Sequence, residues 1–568
     1  MHPHQGLFAA ALCSLGLARG PQEPQLTPEP PAPPALPSAE PAYRTSADVT
    51  RWLEALVAAA PAVVTRLDDA GLRDARLTAV QLAGPGPVPP GQRPTLLLVG
   101  GLDGRSLSGV EAVLACVRSL AERPAMLGSD LCVVAIPCAS PDALDRYLRD
   151  ERGDGGNNRP VDDDGDGKTD EDGPDDLNGD GIVSQMLIED PSGPWTRSDD
   201  ERFLVPAGPT DAPRYLLCPE GRDDDGDGLF NEDGPGGVVL DLNFPLGRGA
   251  GGAGPTSGPL PLSEPPALAL ANLALGRKTF AVVLFQGNHG GVAHAGGVAE
   301  IESWAAVDAA LYERCSRDFA AATQRGFEAP RSLRAARDET CGGAALDWFA
   351  GVRGALSLEL APWGPQVAEG PRDPARDAVS RRTPPASRRP PSERDLAWRG
   401  WLDNVHESRA FLDWIPVDLG RPGTAFVGGW RPWTIENPPL AELPRALKGC
   451  AEFVSALSAA QPRLDLTLSA ERNGELVTLR ARLRNLGSLP TALAARSAVR
   501  PEPGAWIALE LPEGAKLHGG AQRREFARLV GGDSTAETVW LLQAPRGARL
   551  VLSGGAPWCL DVAKEIAP

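Results

Sequence analysis

Histidine and basic side chains are both scarce in this sequence of 568 residues. Only six histidines occur, and 56 lysines and arginines stand against 75 acidic residues, which gives a net charge of −19. This deficit argues against nucleic acid as a partner, because phosphate binding needs basic patches. Beyond a short stretch near the N-terminus, no apolar run is long enough to predict a transmembrane segment. The length favours two or three domains.

The N-terminal residues resemble a leader followed by a linker. Residues 6–17 form a short apolar run, and Gly16-x-Ala18 is similar to a signal-peptide cleavage site, which predicts a signal peptide over residues 1–18. We therefore expect an exported protein (periplasmic, secreted or at the cell surface), with a frayed N-terminus as the alternative. Residues 19–42 are proline-rich and predict an extended linker. Cys116 and Cys132 lie in apolar segments and are expected in the core.

Residues 94–120 predict a strand, a glycine turn and a helix, in that order. The apolar run Leu96–Val99 is typical of a strand buried on both faces of a sheet. Gly101 and Gly104 then allow a sharp turn, and the apolar residues after Ser108 recur with helical spacing. Such a turn lies at the carboxyl end of its strand, where open α/β sheets bind their ligands.

This turn resembles the G-x-H-G-x-E turn of the M14 (carboxypeptidase A-like) zinc carboxypeptidases. Gly101 and Gly104 keep the frame, but Asp103 and Ser106 stand where that family has its zinc-binding His and Glu. Further segments between Tyr43 and Pro462 resemble M14 motifs in the family's order, as in bacterial exported members. The resemblance implies a mixed eight-stranded sheet flanked by helices, zinc as cofactor, and proteolysis of a peptide or protein ligand.

Four residues take candidate site roles by the same resemblance. His289 matches the third zinc ligand and, with Asp103, would form a vestigial zinc site. Glu359 matches the catalytic general base, and Arg159 matches the arginine that polarises the scissile carbonyl. An ordinary loop histidine, and a strand-end carboxylate held by a nearby arginine, are the alternative interpretations of His289 and Glu359.

Several other places of the M14 pocket carry unsuitable residues. Ser106 replaces a zinc ligand, Val239 replaces the aspartate that orients the first zinc histidine, Leu242 replaces the carboxylate-binding arginine, and Ala350 replaces the substrate-capping tyrosine. These changes predict an impaired or inactive homologue that serves as an exported binding or structural module. The alternative is an active zinc carboxypeptidase or metallohydrolase with altered ligands, namely Asp103 and His289 with His294 or a water.

An acidic insertion at residues 162–233 repeats the order D-x-D-x-D-G. Calcium prefers several oxygen ligands, and the glycine permits a sharp turn after the third one, so we predict bound calcium. A solvated acidic loop is the alternative. The twelfth position of each frame lacks the glutamate of an EF-hand. The candidate ligands are Asp162, Asp164, Asp166, Asp170, Asp176, Asn178, Asp180, Asp223, Asp225, Asp227 and Asn231.

The remaining patterns divide the chain into regions. Residues 43–460 are expected to form the M14-like domain, with a flexible insertion at residues 364–399 that is rich in proline, arginine and serine. Residues 45–65 and 440–457 predict its opening and closing helices. Residues 461–568 contain short alternating stretches separated by Gly, Pro and Asn, which predict an all-β, sandwich-like domain.

Overall fold

The computed structural model describes residues 42–568 with gaps. The gaps are residues 151–154, 161, 163–166, 171, 225, 227, 229, 232–236, 249–254, 326–327, 338–340, 365–390, 392, 405–409, 421–422, 433, 496–503 and 533. The predicted signal peptide, nearly all of the linker and most of the predicted flexible insertion therefore lie outside the described residues. In the described part of the chain, no helix is long and apolar enough to cross a membrane.

A mixed sheet of eight strands organises the first part of the chain. Its strands are β1 (Val64–Arg66), β2 (Val80–Leu82), β3 (Pro94–Gly100), β4 (Cys132–Ile136), β9 (Lys278–Phe285), β10 (Val292–His294), β11 (Arg331–Ser332) and β12 (Leu356–Leu360). They lie in the order β1-β2-β4-β3-β9-β12-β10-β11. The four central strands β4, β3, β9 and β12 run parallel, and β12 pairs antiparallel with β10. The predicted fold class is confirmed.

Helices cover both faces of this sheet. They are α1 (Ser46–Ala59), α2 (Ala70–Asp74), α3 (Leu107–Glu122), α4 (Pro141–Asp150), α5 (Pro265–Leu275), α6 (Ala299–Ala305), α7 (Ala309–Thr323), α8 (Leu333–Arg337), α9 (Ala345–Trp348), α10 (Glu393–Asn404), α11 (Leu443–Leu447) and α12 (Cys450–Ala459). Strand β3 shows the two layers: Leu96 and Leu98 join the core under α3, whereas Leu97 and Val99 join the core under α5. Alternate side chains of a strand point to opposite faces, so both faces are apolar.

The predicted strand, turn and helix at residues 94–120 form as expected. All seven residues of β3 are buried, and Gly101 and Gly104 have φ values of 60° and 70°. That left-handed region suits glycine because a side chain would be strained there. The first turn of α3 then packs closely on β9, since a Cβ on Gly109 would lie 1.9 Å from the carbonyl oxygen of Phe285.

Two helix predictions had the wrong bounds. The opening helix ends at Ala59, and Val64–Arg66 is a strand instead, because Pro61 cannot continue a helix. The closing helix divides into α11 and α12 at Gly449, which has a φ of 82°. A Cβ on Gly449 would lie 2.1 Å from the carbonyl oxygen of Ala322, so this break also lets α7 approach closely.

The acidic insertion contributes strands that the sequence patterns did not predict. They are β5 (Gln185–Glu189), β6 (Trp195–Arg197), β7 (Leu204–Pro206) and β8 (Tyr215–Pro219), which join β13 (Phe411–Val417) and β14 (Ala425–Trp430). The six strands form a second, antiparallel sheet in the order β13-β14-β5-β8-β6-β7. Met186 and Ile188 pack against Ala425 and Val427.

The predicted flexible insertion at residues 364–399 is ordered near its C-terminal end. There Trp398, in α10, is buried against Trp363, which directly precedes the insertion.

The C-terminal region folds as two antiparallel four-stranded sheets. Their strands are β15 (Leu464–Asn473), β16 (Leu476–Asn485), β17 (Ala505–Glu510), β18 (Lys516–Gly519), β19 (Arg523–Phe526), β20 (Ser534–Gln543), β21 (Leu550–Gly555) and β22 (Val562–Ile566). One sheet has the order β15-β16-β20-β18 and the other β19-β17-β21-β22. Leu479 and Trp540 of the first sheet share a core with Ile507 and Leu552 of the second. This sandwich agrees with the all-β prediction.

Candidate functional site

The candidate site lies where three parallel strands end next to one another. Asp103 and Ser106 follow β3, Gln286 and His289 follow β9, and Glu359 lies in β12 opposite Leu284 of β9. Because parallel strands present their carboxyl ends at one edge, these side chains converge. Two further side chains complete the cluster, Asp241 from a 3₁₀ turn at Leu240–Leu242 and Arg337 from the last position of α8.

Arg337 bridges the two buried carboxylates of the cluster. Its Nη2 lies 2.5 Å from Asp241 Oδ2 and 2.6 Å from Glu359 Oε2. The amide nitrogen of Gln286 donates to the same two oxygens, at 3.1 and 2.9 Å. Both carboxylate side chains are wholly buried. Glu359 is thus a strand-end carboxylate held by a nearby arginine, the arrangement given above as the alternative interpretation of this residue.

The charge of Arg337 sets the protonation of its partners. Burial alone would raise the pKa of Glu359, but Arg337 and the neighbouring His289 hold that pKa well below its usual range. Burial raises the pKa of Asp241, and the charge of Arg337 opposes that shift. The pKa of Arg337 is raised in turn, because Glu359 and Asp241 outweigh the lowering effect of burial. The guanidinium therefore stays charged beside at least one carboxylate.

Asp103 and Ser106 are bonded to each other and to the backbone around them. Asp103 Oδ1 accepts from the backbone N–H of Ser106 at 3.0 Å, and its Oδ2 accepts from the Ser106 hydroxyl at 2.6 Å. Gly287 N–H donates to Ser106 Oγ at 2.8 Å, and the Gln286 side-chain oxygen accepts from Asp103 N–H at 3.2 Å. The two carboxylate oxygens of Asp103 therefore close the glycine turn, while its backbone N–H and the Ser106 hydroxyl fasten the turn to the residues after β9.

His289 lies beside Glu359 without a well-formed hydrogen bond between them. Its Nε2 is 3.3 Å from Glu359 Oε1, but the two atoms are not aligned as donor and acceptor, and neither has a hydrogen bond among the described residues. The other ring nitrogen, Nδ1, accepts from Gly291 N–H at 3.3 Å. The structure thus brings Asp103, His289 and Glu359 into one cluster.

This arrangement does not fit a catalytic zinc ion. Such an ion needs about three protein ligands and an open position for water. Asp103 already uses both oxygens within its turn, and Arg337 brings a positive charge onto Glu359 that would repel a metal cation. Over the described ranges, no three His, Cys, Asp or Glu side chains stand close enough to hold a metal.

His294 points away from this cluster, so it cannot be a ligand of a metal bound beside Asp103 and His289. In the antiparallel pair β10–β12, Ala293 lies opposite Glu359 and His294 lies opposite Leu358. Neighbouring residues of a strand face opposite sides of the sheet, so His294 and Glu359 lie on different faces. The ring of His294 stacks on Tyr312 at 4.6 Å between centroids, and burial lowers its pKa.

Arg159 lies outside the cluster and in a different cleft. Its Nη1 pairs with Glu264 Oε1 at 3.0 Å, and its side chain is 43% exposed. The cleft of about 340 Å³ that it lines also contains Ser140 and Asp142. The structure records no ion pair between Arg159 and Glu359, so a role for Arg159 on a scissile carbonyl stays a prediction.

The replaced pocket positions are apolar or buried. Leu242 is half-buried against the core under α5, and Ala350 is 1% exposed in a π-helical turn at Phe349–Arg353. Neither offers a charged or hydroxyl group to a substrate carboxylate. Asp347, which precedes this turn, accepts from the backbone N–H groups of Gly296 and Gly297 and so holds the segment after β10.

The first aspartate and the glycine have the same local geometry in all three acidic frames of the insertion. In each, the first aspartate accepts from the backbone N–H of the frame glycine, at 3.0 Å for Asp162, 2.8 Å for Asp176 and 3.1 Å for Asp223. The three glycines have φ values of 95°, 84° and 97°. Asp164, Asp166, Asp225 and Asp227 lie outside the described residues; the other candidate ligands, Asp170, Asn178, Asp180 and Asn231 among them, are described.

Two buried carboxylates hold the second and third frames in place, and sequence patterns did not identify them. Glu220 is wholly buried and accepts from the N–H groups of Leu177 and Ser184, both at 2.8 Å. Asp172 is 1% exposed and accepts from Asn231 N–H at 2.8 Å and Asp224 N–H at 3.2 Å. In a segment this acidic, no local signal separates them from solvated aspartates.

Arg337 and Gln286 are the cluster residues that sequence reasoning missed. Gln286 directly follows the apolar strand β9, and a polar residue at that position was a usable signal. Arg337 lies 96 residues after Asp241 and 22 before Glu359, in a segment without a recognisable motif. Only the fold brings it to the two carboxylates.

Solved structures similar to this chain are distant from it. A carboxypeptidase A from Helicoverpa armigera is 12% identical over 56% of this chain and 64% of its own, with a TM-score of 0.37. Thrombin activatable fibrinolysis inhibitor is 12% identical over 56% of this chain and 66% of its own, with a TM-score of 0.35. A metallo-carboxypeptidase from Burkholderia cenocepacia is 11% identical over 55% of this chain and 58% of its own, with a TM-score of 0.27. The chain thus spans less than two thirds of each of these proteins. Such low values carry no inference about activity.

Sequence comparisons identify only the C-terminal region. Residues 465–566 match a family model described as a domain of unknown function, DUF8731. This range covers the two sheets of the sandwich. No curated protein matches the chain.

Proposed function

We propose that this chain is a catalytically impaired relative of the M14 metallocarboxypeptidases that acts, after export, as a binding or structural module for a peptide or protein ligand. The M14-like motifs in the family's order support the relationship, and so does the eight-stranded mixed sheet with helices on both faces. The impairment rests on the chemistry of the cluster around Glu359.

The ion pair between Arg337 and Glu359 is the observation that carries this proposal. A general base works best when its pKa lies near the working pH. Arg337 holds the pKa of Glu359 well below its usual range and occupies one of its oxygens at 2.6 Å. A carboxylate so stabilised is a weak base.

The surrounding residues do not compensate for this loss. Asp103 and Ser106 are engaged in their own turn, and Leu242 and Ala350 cannot anchor a substrate carboxylate, a task suited to an arginine or a hydroxyl group. Binding the substrate terminus positions the scissile bond, so its absence lowers the rate even where a metal is present. Peptide binding without turnover is the function that remains for this edge of the sheet.

Metal content and peptidase activity test the proposal together. Purified protein should retain less than stoichiometric zinc after dialysis against trace zinc, and it should release no C-terminal residue from peptide substrates. The control pair is Glu359→Gln and Glu313→Gln, the second an exposed glutamate on α7. Tightly held stoichiometric zinc, with chelator-sensitive release that Glu359→Gln abolishes and Glu313→Gln preserves, would establish the altered-ligand metallohydrolase instead.

We also propose that the acidic insertion binds calcium. Carboxylates at fixed spacing, followed by a glycine in the left-handed region, offer a hard cation several oxygens at one turn. The frames at Asp162, Asp176 and Asp223 share this turn. Calcium would lower the repulsion within a segment that the fold already ties down through Glu220 and Asp172.

A further inference from the structure

Four side chains from different strands of the second sheet meet on one of its faces. Tyr215 lies in β8, Trp414 in β13, Phe426 in β14 and Arg197 in β6. Phe426 and Tyr215 lie opposite alternate residues of β5, so they take the same face of the sheet. Arg197 is two residues beyond the β6 partner of Tyr215 and takes that face as well. None of the four belongs to the cluster around Glu359.

The three aromatic rings surround the guanidinium group of Arg197. Its Cζ lies 4.6 Å from the ring centroid of Phe426, 5.6 Å from that of Tyr215 and 5.9 Å from that of Trp414. The rings of Tyr215 and Phe426 stand at 77° to each other and so form two walls of a corner. A cation within about 6 Å of a ring centroid is attracted to the ring face. Tyr215, Trp414 and Phe426 thus form an aromatic cage, which a cation of the chain occupies.

Arg197 is a poorly satisfied occupant of the aromatic cage. Its Nε and Nη2 atoms are buried and have no hydrogen-bond partner among the described residues. Its ion pair with Glu201 is loose, with 4.0 Å between Nη1 and Oε2. Buried donors without acceptors are unfavourable, and a guanidinium group carries five N–H donors. The cage therefore attracts positive charge but leaves N–H groups unmet.

Arg197 has a way out of the cage, and its exit leaves an acidic entrance. Its side chain is 21% exposed and that of Glu201 is 59% exposed, so the guanidinium group can turn outward and pair with Glu201 more closely. Glu189 is exposed and lies directly opposite Tyr215 in the β5–β8 pair. Two carboxylates beside the cage favour a ligand with positive charge. The space that the arginine side chain vacates gives this ligand access from solvent.

We propose that the aromatic cage binds a quaternary ammonium cation of the choline type, which displaces Arg197. A quaternary nitrogen carries no N–H group, so it leaves no donor unmet among three rings. A primary ammonium group would bring the same unmet donors as the guanidinium group. Glu189 and Glu201 disfavour a ligand that also carries an anionic group, such as glycine betaine. Neither zinc nor the Glu359 cluster takes part, so this binding is independent of the function proposed above.

Isothermal titration of the full chain with choline tests the site. Saturable binding is expected, weaker by about tenfold or more for ethanolamine, which has a primary ammonium group, and for glycine betaine. Arg197→Ala should strengthen choline binding by about tenfold or more, because it removes the competing cation. A gain in affinity cannot come from a folding defect. The matched control Arg202→Ala removes an arginine of the same insertion that pairs with Asp200 at 2.7 Å, and it should leave the affinity unchanged.

A second variant tests whether the rings supply the attraction. Phe426→Leu, added to Arg197→Ala, removes the ring nearest to the cation and keeps an apolar side chain. It should weaken choline binding by about tenfold or more relative to Arg197→Ala. The proposal is overturned if Arg197→Ala binds choline no more tightly than the unmodified protein, or if the double variant keeps the full affinity of Arg197→Ala. It is also overturned if ethanolamine or glycine betaine binds as well as choline.

Discussion

At the scale of single residues, Arg337 decides the chemistry of the candidate site. Two carboxylates, Asp241 and Glu359, are wholly buried, and the guanidinium of Arg337 is the cation that contacts both. Burying an uncompensated charge costs several kcal/mol, whereas a paired and hydrogen-bonded one is tolerated. The arginine thus supplies, from within the chain, the positive charge that these two carboxylates need.

Replacing Arg337 with methionine should therefore destabilise the protein strongly. We expect the free energy of unfolding at pH 7 to fall by roughly 3–5 kcal/mol, as for other broken buried ion pairs. Because the pKa of Glu359 is lowered in the folded state, its stabilisation is present above the usual carboxyl range. It is lost only as the pH falls through the lowered pKa, so the difference between the two proteins should shrink in strong acid. Urea denaturation at several pH values measures this.

Two control variants separate the ion pair from the loss of an arginine. Arg334→Met removes an exposed arginine from the same helix, α8, and should change the stability by less than about 1 kcal/mol. The triple variant Arg337→Met, Asp241→Asn, Glu359→Gln removes all three charges and should recover most of the loss. If Arg337→Met proves no more costly than Arg334→Met, the bridging role is wrong.

At the scale of elements, the acidic insertion combines short acidic turns with paired strands. In each of its D-x-D-x-D-G turns the first aspartate accepts from the frame glycine, whereas β5 and β8 pair over five residues and β5 also pairs with β14. Glu220 connects the two parts, because it accepts from the frame residue Leu177 and from Ser184 just before β5. A cation in the turns would thus stabilise β5 and β8, the two central strands of the second sheet.

Calcium should raise the melting temperature and protect the insertion from protease. A ligand at 100 times its Kd adds about 2.7 kcal/mol to the folded state. Asp176→Ala should reduce this shift, because Asp176 accepts from the frame glycine Gly181 at 2.8 Å. Differential scanning fluorimetry and limited proteolysis, each with calcium or chelator, measure the effect.

Magnesium and a second acidic residue provide the controls for this prediction. Magnesium at the same concentration should act less, since it demands a smaller, octahedral site. Glu189→Gln changes an exposed glutamate of β5 outside the frames and should leave the calcium response intact. Identical melting and cleavage with calcium and with chelator would mean that the frames are solvated acidic loops.

At the scale of the whole molecule, the β-sandwich is bound to the α/β part by specific contacts. Asp308 is 2% exposed and accepts from Ala494 N–H at 3.0 Å, from Ala495 N–H at 2.9 Å and from Arg528 at 2.5 Å. Trp558, beyond β21, is buried in the core of the first sheet, and its indole N–H donates to Gly354 O at 3.0 Å. These buried, directional contacts fix the position of the sandwich on the α/β part.

Asp308→Ala should loosen this attachment. The change leaves two backbone N–H groups and one guanidinium without their acceptor, which costs about 1–3 kcal/mol for each unsatisfied group that stays buried. We expect an earlier or separate unfolding transition for the sandwich in calorimetry and faster cleavage near residues 460–463. The exposed Asp318→Ala on α7 is the matched control and should behave like the unmodified protein. A single unshifted transition in Asp308→Ala would show that the sandwich is held by other contacts.

Local patterns predicted the elements that depend on near neighbours. The apolar run of β3, the glycine turn and the spacing in α3 lie within one short stretch, and the structure reproduces them. Strands β5 to β8 escaped prediction because they are short and border acidic turns. They are stabilised by pairing with one another and, through β5, with β14, more than 200 residues later in the sequence. His294 was misjudged as a possible ligand because a sequence does not reveal which face of a sheet a strand-end residue takes.

The sequence by itself determined the buried central strands, the repeated acidic turns and the all-β character of residues 461–568. Each of these depends on a periodicity or a turn residue within about ten positions, which backbone geometry converts directly into local structure. The tertiary structure alone decided that Glu359 is neutralised by Arg337, 22 residues away, and that Asp241 joins them from 96 residues away. Burial forces a charged group to find a counter-charge, and only the folded arrangement determines which one is within reach.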